Sequence, residues 1–164
     1  MNERAPGDVA GAAAADDVAA LELMARAIVG LTMQSVDVLG GEVTLPQFRL
    51  LLVLSGLGRV PSSRLAAEMG TGASSVTRLA DRLEAAGLLV RGADPRSRSV
   101  VTLEVTRAGV ELVARVVARR HELLSAVLRQ LPPADQRLAA RVARKFASLA
   151  GDAAALSATS PLPL

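Results

Sequence analysis

Cysteine is absent from this 164-residue chain, and histidine occurs only once. These shortages exclude disulfide bonds, thiolate metal sites and thiol-based peroxide sensing. Tryptophan and tyrosine are missing as well, so aromatic residues make up only 1% of a chain that is 51% hydrophobic. We therefore predict a single domain with an aliphatic core, which suits packed helices better than an aromatic-lined sandwich.

Groups that could carry catalysis are equally scarce. The single histidine, His121, has no cysteine or carboxylate at metal-ligand spacing, so we interpret it as a surface or interface residue. The chain contains no glycine-rich phosphate loop after a strand, no nucleophile-elbow sequence and no paired carboxylates in an evident cleft. We predict that the protein is not an enzyme and uses no metal or cofactor.

Targeting and membrane signals are also lacking in the sequence. The N-terminal segment carries Glu3 and Asp8 without an apolar core of signal-peptide length. Uncharged apolar runs stay well short of the ~20 residues that a bilayer span requires. We expect a cytoplasmic, nucleoid-associated protein, with a disordered lead-in over residues 1–15 and a short C-terminal tail over residues 157–164.

Residues 62–106, in contrast, carry a dense pattern of helix and turn signals. We predict a helix that begins at Ser74 and Ser75 and ends at Gly87. Its apolar face has the i, i+3, i+4, i+7 spacing and comprises Val76, Leu79, Ala80 and Leu83. Its polar face comprises Ser74, Ser75, Thr77, Arg78, Asp81 and Arg82. Hydroxyls and guanidiniums in this arrangement can bind base edges or phosphates, although an ordinary solvated face is the alternative.

A shorter helix over residues 63–69 precedes this one, and the glycine-bearing turn 70–72 joins the two. That spacing is typical of a helix-turn-helix. Ser62 or Ser63 is expected to cap the shorter helix, and either hydroxyl can also contact a DNA phosphate.

A β-hairpin wing is predicted after Gly87. Residues 88–90 and 100–105 have the composition of strands, and the turn-rich residues 93–99 form the tip between them. The tip carries Arg96 and Arg98, and Asp94 is placed to brace one of these guanidiniums. For the tip alone, a charged loop without a role in binding is the alternative.

Long apolar helices flank this region. We predict helices over residues 16–39, from the N-cap Thr44 through the core residue Phe48, from Thr106 to about Leu131, and from Asp135 to about residue 155. Their apolar stripes exceed what one winged domain can cover, so we predict a dimer. Leaving several such side chains in water would cost about 1.5–3 kcal/mol each. The alternative is that these helices fold back on the winged domain of their own subunit.

Positive charge is concentrated in the predicted DNA-reading region. Seven arginines and four acidic residues lie between residues 59 and 98, so this window alone carries the whole chain's net charge of +3. A polyanion would be attracted to this face.

The quoted residues resemble the MarR family of winged-helix transcription regulators. The similarity runs through residues 44–51, 65–66, 75–79, 81–88, 91, 94–98 and 105–109. It implies a homodimer whose recognition helices enter successive major grooves of a palindromic operator, while the wings reach adjacent minor grooves. It assigns the recognition-helix role to Ser75, Thr77, Arg78 and Arg82, and the wing role to Asp94 and Arg96. Many members carry arginine where this chain has Ser99, and Arg98 can substitute for it.

Together these observations predict a mainly α protein with a small β-hairpin wing. The winged helix-turn-helix is expected over residues 42–105, and the dimerisation helices over residues 16–41 and 106–156. The expected function is a bacterial homodimeric repressor that binds double-stranded DNA, and the resemblance implies relief by a small-molecule effector. The alternative is a winged-helix module that binds an acidic protein partner.

Overall fold

The computed structural model describes the backbone of residues 6–94 and 97–156 and the side chains of residues 15–94 and 100–151. As predicted, the chain is mainly helical with one small antiparallel sheet. The elements are α1 (Pro6–Val36), a 3-10 turn (Asp37–Leu39), α2 (Leu45–Leu57), β1 (Val60–Pro61), α3 (Ser62–Met69), α4 (Ala73–Ala85), β2 (Leu89–Asp94), β3 (Ser97–Val105), α5 (Arg107–Leu128) and α6 (Pro133–Leu156). Residues 1–5 of the expected lead-in and the expected tail, 157–164, lie outside the described residues.

The first helix begins ten residues earlier than we expected. Residues 6–15, which we expected to be disordered, form the first turns of α1. A proline at the first helical position loses no hydrogen bond, and the alanines at 12–15 have the highest helix propensity. At the other end, α1 passes into the 3-10 turn, and Gly40 ends it with a left-handed backbone at φ 54°.

Helix α2 forms the buried centre of the winged domain, as its apolar composition predicted. Thr44 is its N-cap, and the Thr44 backbone N–H donates to Gln47 Oε1 at 2.6 Å. Leu50 and Leu54, which are spaced i, i+4, are buried on one side of the helix, and Phe48 is buried on another. They share one core with apolar side chains from α3, α4, the sheet and α5. The interpretation of Phe48 as a core residue is therefore confirmed.

The sheet has the strand order β1-β3-β2, and both pairings are antiparallel. Val60 pairs with Leu103, whereas Gly92 pairs with Thr102 on the opposite edge of β3. The hairpin strands are longer than predicted, because pairing continues to Asp94 and Ser97. The predicted seven-residue tip is therefore wrong, and only residues 95–96, which lie outside the described residues, separate the strands.

Helices α5 and α6 differ in how much of their surface the rest of the chain covers. Thr106 caps α5 as predicted, since its Oγ1 accepts from the Gly109 N–H at 3.1 Å. The spacing of Val110, Val113, Val117, Leu124 and Leu128 predicts the apolar side of α5. Within the subunit only Val113 of these is buried, together with Leu112 and Val116. Val110, Val117, Leu124 and Leu128 are exposed, as expected of an apolar side that exceeds what the winged domain can cover. Helix α6 has no buried side chain among residues 133–151.

Apolar side chains also stay exposed on α1. The helical stretch Ala15–Leu39 is long and apolar enough to cross a membrane, with a mean hydropathy of 1.2. Only 11% of its apolar 18-residue segment is buried. The core helix of a soluble protein passes the same test. The stretch includes Asp16, Asp17, Glu22 and Arg26, which interrupt its apolar surface.

Candidate nucleic-acid interface

Helices α3 and α4 form the helix-turn-helix that the spacing predicted. Gly70 ends α3 with a left-handed backbone at φ 61°, and its N–H donates to the Ala67 carbonyl. The buried faces of both helices join the same core: Leu65, Ala66 and Met69 come from α3, and Val76, Ala80 and Leu83 from α4. Because α4 is anchored along one side, its opposite side is held outward.

The serines predicted near the starts of these helices do not cap them. Pro61 is the N-cap of α3, and Ser62 and Ser63 lie in the first turn without a side-chain capping bond. Pro61 is also paired with Thr102 in the sheet, so the chain passes directly from strand into helix, and the N-cap residue has no side-chain group that could accept a hydrogen bond. Ser62 is half-buried and Ser63 is exposed.

Helix α4 begins in a similar way. Its N-cap is Gly72, whose carbonyl accepts from Ser75 N at 3.0 Å. Ser74 and Ser75 therefore lie inside the first turn, contrary to our prediction that they mark its start as caps. The predicted stop is confirmed, because Gly87 has φ 71° and the Leu88 N–H donates to the Leu83 carbonyl at 2.9 Å.

The predicted polar face of α4 is the exposed face. Thr77, Arg78 and Arg82 are exposed, as is Ser74, whereas Ser75 is half-buried. The Thr77 hydroxyl donates to the Ala73 carbonyl at 3.0 Å, so its proton is used within the helix and its oxygen can still accept. Within the described part of the chain, neither Arg78 nor Arg82 forms a salt bridge.

Arg91 holds α4 against the wing, a role that the sequence did not reveal. From strand β2 its guanidinium contacts Asp81 Oδ1 at 2.6 Å and Glu84 Oε2 at 2.8 Å, and it donates to the Thr77 carbonyl at 3.4 Å. Two acidic side chains of α4 are thereby neutralised next to the exposed arginines. The available signal was an acidic pair spaced i, i+3 before the turn at Gly87, with an arginine just beyond it.

Arg49 is a second residue that the sequence reasoning missed. It lies in α2, and its Nη2 donates to the Met69 carbonyl at the end of α3 at 3.4 Å. It borders a groove of about 500 Å³ between the start of α2, the end of α3 and the outer side of α4. Arg78, Arg82, Thr71 and Ser75 also line this groove. Three guanidiniums thus border one concave surface, which favours an anionic ligand such as a phosphate.

The wing residues are only partly described. Asp94 is half-buried at the end of β2, where it pairs with Ser97. Arg96 and the side chain of Arg98 lie outside the described residues. The expected contact between Asp94 and a wing guanidinium therefore stays a prediction.

Comparison with known proteins shows similarity to one family of regulators. A model of the MarR family matches residues 42–98, from just before α2 into β3. The structure of a MarR family protein from Bacillus stearothermophilus has 28% sequence identity and a TM-score of 0.71; the match covers 83% of this chain and 96% of that one. The chain is thus similar to MarR-family proteins. RV1404 from Mycobacterium tuberculosis shares its fold with a TM-score of 0.73 and 26% identity, over 90% of this chain and 96% of that one.

Sequence relatives carry the names of regulators. The uncharacterized HTH-type transcriptional regulator YfiV of Bacillus subtilis strain 168 is 27% identical over 95 residues. That match covers 58% of this chain and 59% of YfiV, so the chain spans less than two thirds of that relative. These names agree with the prediction that the protein is not an enzyme, and the family match confirms the resemblance drawn from the sequence.

Proposed function

We propose that this protein is a homodimeric transcription regulator of the MarR family that binds DNA sequence-specifically. The observation that carries the proposal is the outer face of α4. There Arg78 and Arg82 project from a helix that is anchored by its buried side and by Arg91. Guanidiniums held in this way can donate two hydrogen bonds to a guanine edge. Ser74, Ser75 and Thr77 supply shorter hydrogen-bonding groups on the same helix.

The positive charge beside the outer face of α4 supports double-stranded DNA as its partner. Asp81 and Glu84 are the acidic residues of α4, and both are paired with Arg91. The positive charges of Arg49, Arg78 and Arg82 are therefore left to face the groove. Such a surface attracts phosphates and speeds the encounter with DNA at low salt. In this proposal Ser62 and Ser63 contact the phosphate backbone.

A second copy of the chain is the proposed cover for the exposed apolar side chains of the flanking helices. These are Val18, Leu21, Met24 and Ile28 on α1, and Leu138, Val142, Phe146 and Leu149 on α6. A twofold pairing of residues 16–41 and 106–156 would remove them from water, whereas the charges of α1 make a bilayer a poor alternative. Pairing would also present the two winged domains, residues 42–105, to the same side of a duplex. The two α4 helices would then enter major grooves about 34 Å apart on a palindromic operator.

The remaining parts of the proposal concern the wing and regulation. Asp94, Arg96 and Arg98 are assigned to the wing, which reaches the neighbouring minor groove. Occupying an operator would repress transcription by occlusion, in the cytoplasm and on the nucleoid. A small molecule would relieve repression if it bound more tightly to a conformation of the dimer in which the distance between the two α4 helices does not fit DNA.

Salt-titrated binding to genomic fragments that the wild-type protein retains tests the base-reading proposal. Arg78→Ala and Arg82→Ala are each expected to lose about 1–3 kcal/mol of binding free energy, with relaxed sequence preference. The matched control is Arg107→Ala, which removes an exposed arginine that pairs with Glu111 at the start of α5. Weak and sequence-blind binding by wild type and all variants would defeat the proposal. That result would favour a module that binds an acidic protein.

A further inference from the structure

One arginine outside the helix-turn-helix contacts both strands of the wing. Arg59 lies directly before β1, and its Nε donates to Thr102 Oγ1 on β3 at 3.0 Å. Its Nη2 donates to the Ala93 carbonyl on β2 at 3.3 Å. A single guanidinium thus joins two strands that are bonded to each other, and it ties both to the segment that leads from α2.

This contact lies where the sheet narrows from three strands to two. Strand β1 ends at Pro61, which is paired with Thr102, and Gly92 is paired with the same threonine from the other side. Beyond that level β2 and β3 continue as a two-stranded ribbon, with an irregular register between Ala93 and Asp94. Two-stranded ribbons twist more strongly than wider sheets and are marginally stable alone. The ribbon therefore leaves the three-stranded part of the sheet at the level of the Arg59 contact.

Gly92 provides the space through which Arg59 crosses the hairpin. A Cβ built at Gly92 would overlap Arg59 Nη2 and would lie 3.1 Å from Arg59 Cζ and 3.3 Å from Thr102 Oγ1. The backbone of Gly92 does not have a positive φ, so its conformation is open to other residues. Glycine within a strand weakens pairing and often marks a close approach by another group. Here that group is the Arg59 guanidinium.

The residue that accepts the hydrogen bond from Arg59 Nε is buried. Thr102 is only 3% exposed, so the hydroxyl that accepts from Arg59 is fixed by the surrounding core. Arg59 itself is exposed apart from these bonds. An exposed arginine loses side-chain freedom when it is held in one geometry, and two acceptors on separate strands offset part of that cost.

We propose that Arg59 is a positioning residue for DNA binding: it straps the base of the wing, and Gly92 is needed because it leaves room for the strap. The strap sets the angle at which the ribbon projects from the winged domain. The proposal rests on the proposed function, because a wing needs a fixed direction only if it meets a ligand of defined shape. It assigns Arg59 an effect through the wing and no contact with DNA.

The first experiment measures amide hydrogen exchange in the DNA-free protein. Arg59→Ala and Gly92→Ala are each expected to speed exchange in residues 89–94 and 97–105 by about fivefold, as for the loss of roughly one net hydrogen bond. The double variant should exchange no faster than either single variant, since both remove the same contact. Gly56→Ala is the matched control, because a Cβ there would meet nothing within 4 Å. If amide exchange were unchanged in both single variants, the proposed role of Arg59 would be wrong.

The second experiment separates positioning from direct contact with DNA. Arg59→Ala is expected to weaken binding about five- to tenfold in the otherwise wild-type protein, but less than about twofold in an Arg96→Ala/Arg98→Ala background. Equal losses in both backgrounds would mean that Arg59 acts independently of the wing, and the proposal would be wrong. If wild type binds no DNA, the proposed function fails, and the exchange measurement still decides whether Arg59 fixes the wing.

Discussion

The winged domain and the outer helices use the same kinds of apolar side chain but bury them to very different extents. Leu50, Leu51 and Leu54 on α2 are fully buried. On α6, in contrast, Leu138, Val142, Phe146 and Leu149 are 47–59% exposed. Both helices carry regularly repeated apolar residues, yet only one of them finds its partner within the same chain.

This difference separates a region whose apolar core is closed within the chain from one whose apolar side chains the rest of the described chain leaves exposed. Around α2, the helix-turn-helix, the sheet and α5 close over the core from all sides. Helix α6 has no comparable cover, because no other part of the described chain buries its side chains. Stability of the winged domain should therefore depend on its own packing, whereas in the proposed dimer that of the outer helices should depend on protein concentration.

The largest effect is expected from a cavity in the winged core. Leu51→Ala removes a side chain with no exposed surface and should lower the free energy of unfolding by about 2–5 kcal/mol. Urea denaturation at several protein concentrations measures the loss, and Leu149→Ala on α6 is the matched control. The control should have little effect below the concentration at which subunits pair. If both variants lost the same free energy of unfolding at every protein concentration, the two regions would not differ in the way that their burial implies.

A charge on the outer face of α6 should disrupt pairing without unfolding the winged domain. Phe146→Glu is expected to cost about 3 kcal/mol over its two copies in a dimer, or roughly a hundredfold in the dissociation constant. Sedimentation equilibrium measures this change, and Ser148→Glu on the opposite side of α6 serves as the control. A wild-type protein that stays monomeric at micromolar concentration would contradict the proposed dimer, as would a Phe146→Glu variant that pairs normally.

The smallest effect is expected at the ion pair that joins the two regions. Arg115 on α5 contacts both carboxylate oxygens of Glu42, at 2.9 and 3.1 Å, and both side chains are about half exposed. Arg115→Ala should therefore cost only about 0.2–1 kcal/mol of unfolding free energy, and less at high salt. Thermal unfolding at low and high salt measures it, with Arg107→Ala as the control for an ion pair inside one helix. A loss of unfolding free energy above about 2 kcal/mol that did not change with salt would show that the Arg115–Glu42 pair is stronger than an exposed ion pair.

Much of the candidate interface was predictable because its determinants lie close together in the chain. The apolar spacing of Val76, Ala80 and Leu83 identified the buried side of α4, and Gly87 identified its end. Capping was predicted less well. Thr44 and Thr106 cap their helices as expected, but the serines at the starts of α3 and α4 do not, because a paired proline and a glycine precede them.

Residues that act across long sequence separations were missed. Arg59 reaches Thr102 across 43 positions, and Arg49 reaches Met69 across 20. Neither belongs to a local pattern, since an arginine before a short strand or inside an apolar helix has no periodicity to assign its partner. Arg91 is only ten positions from Asp81 in the sequence, but their contact depends on how the turn at Gly87 directs β2 back along α4.

The amino-acid sequence by itself determined the helices, the hairpin, the polar face of α4 and the resemblance to the MarR family, because hydrophobic period, turn residues and motif spacing depend on neighbouring positions. Tertiary structure decided which apolar faces are covered, which serines cap, and which arginines brace α4 and the wing. Those outcomes depend on the packing of elements that are distant in the chain, where a shift of a few ångströms makes or breaks a hydrogen bond.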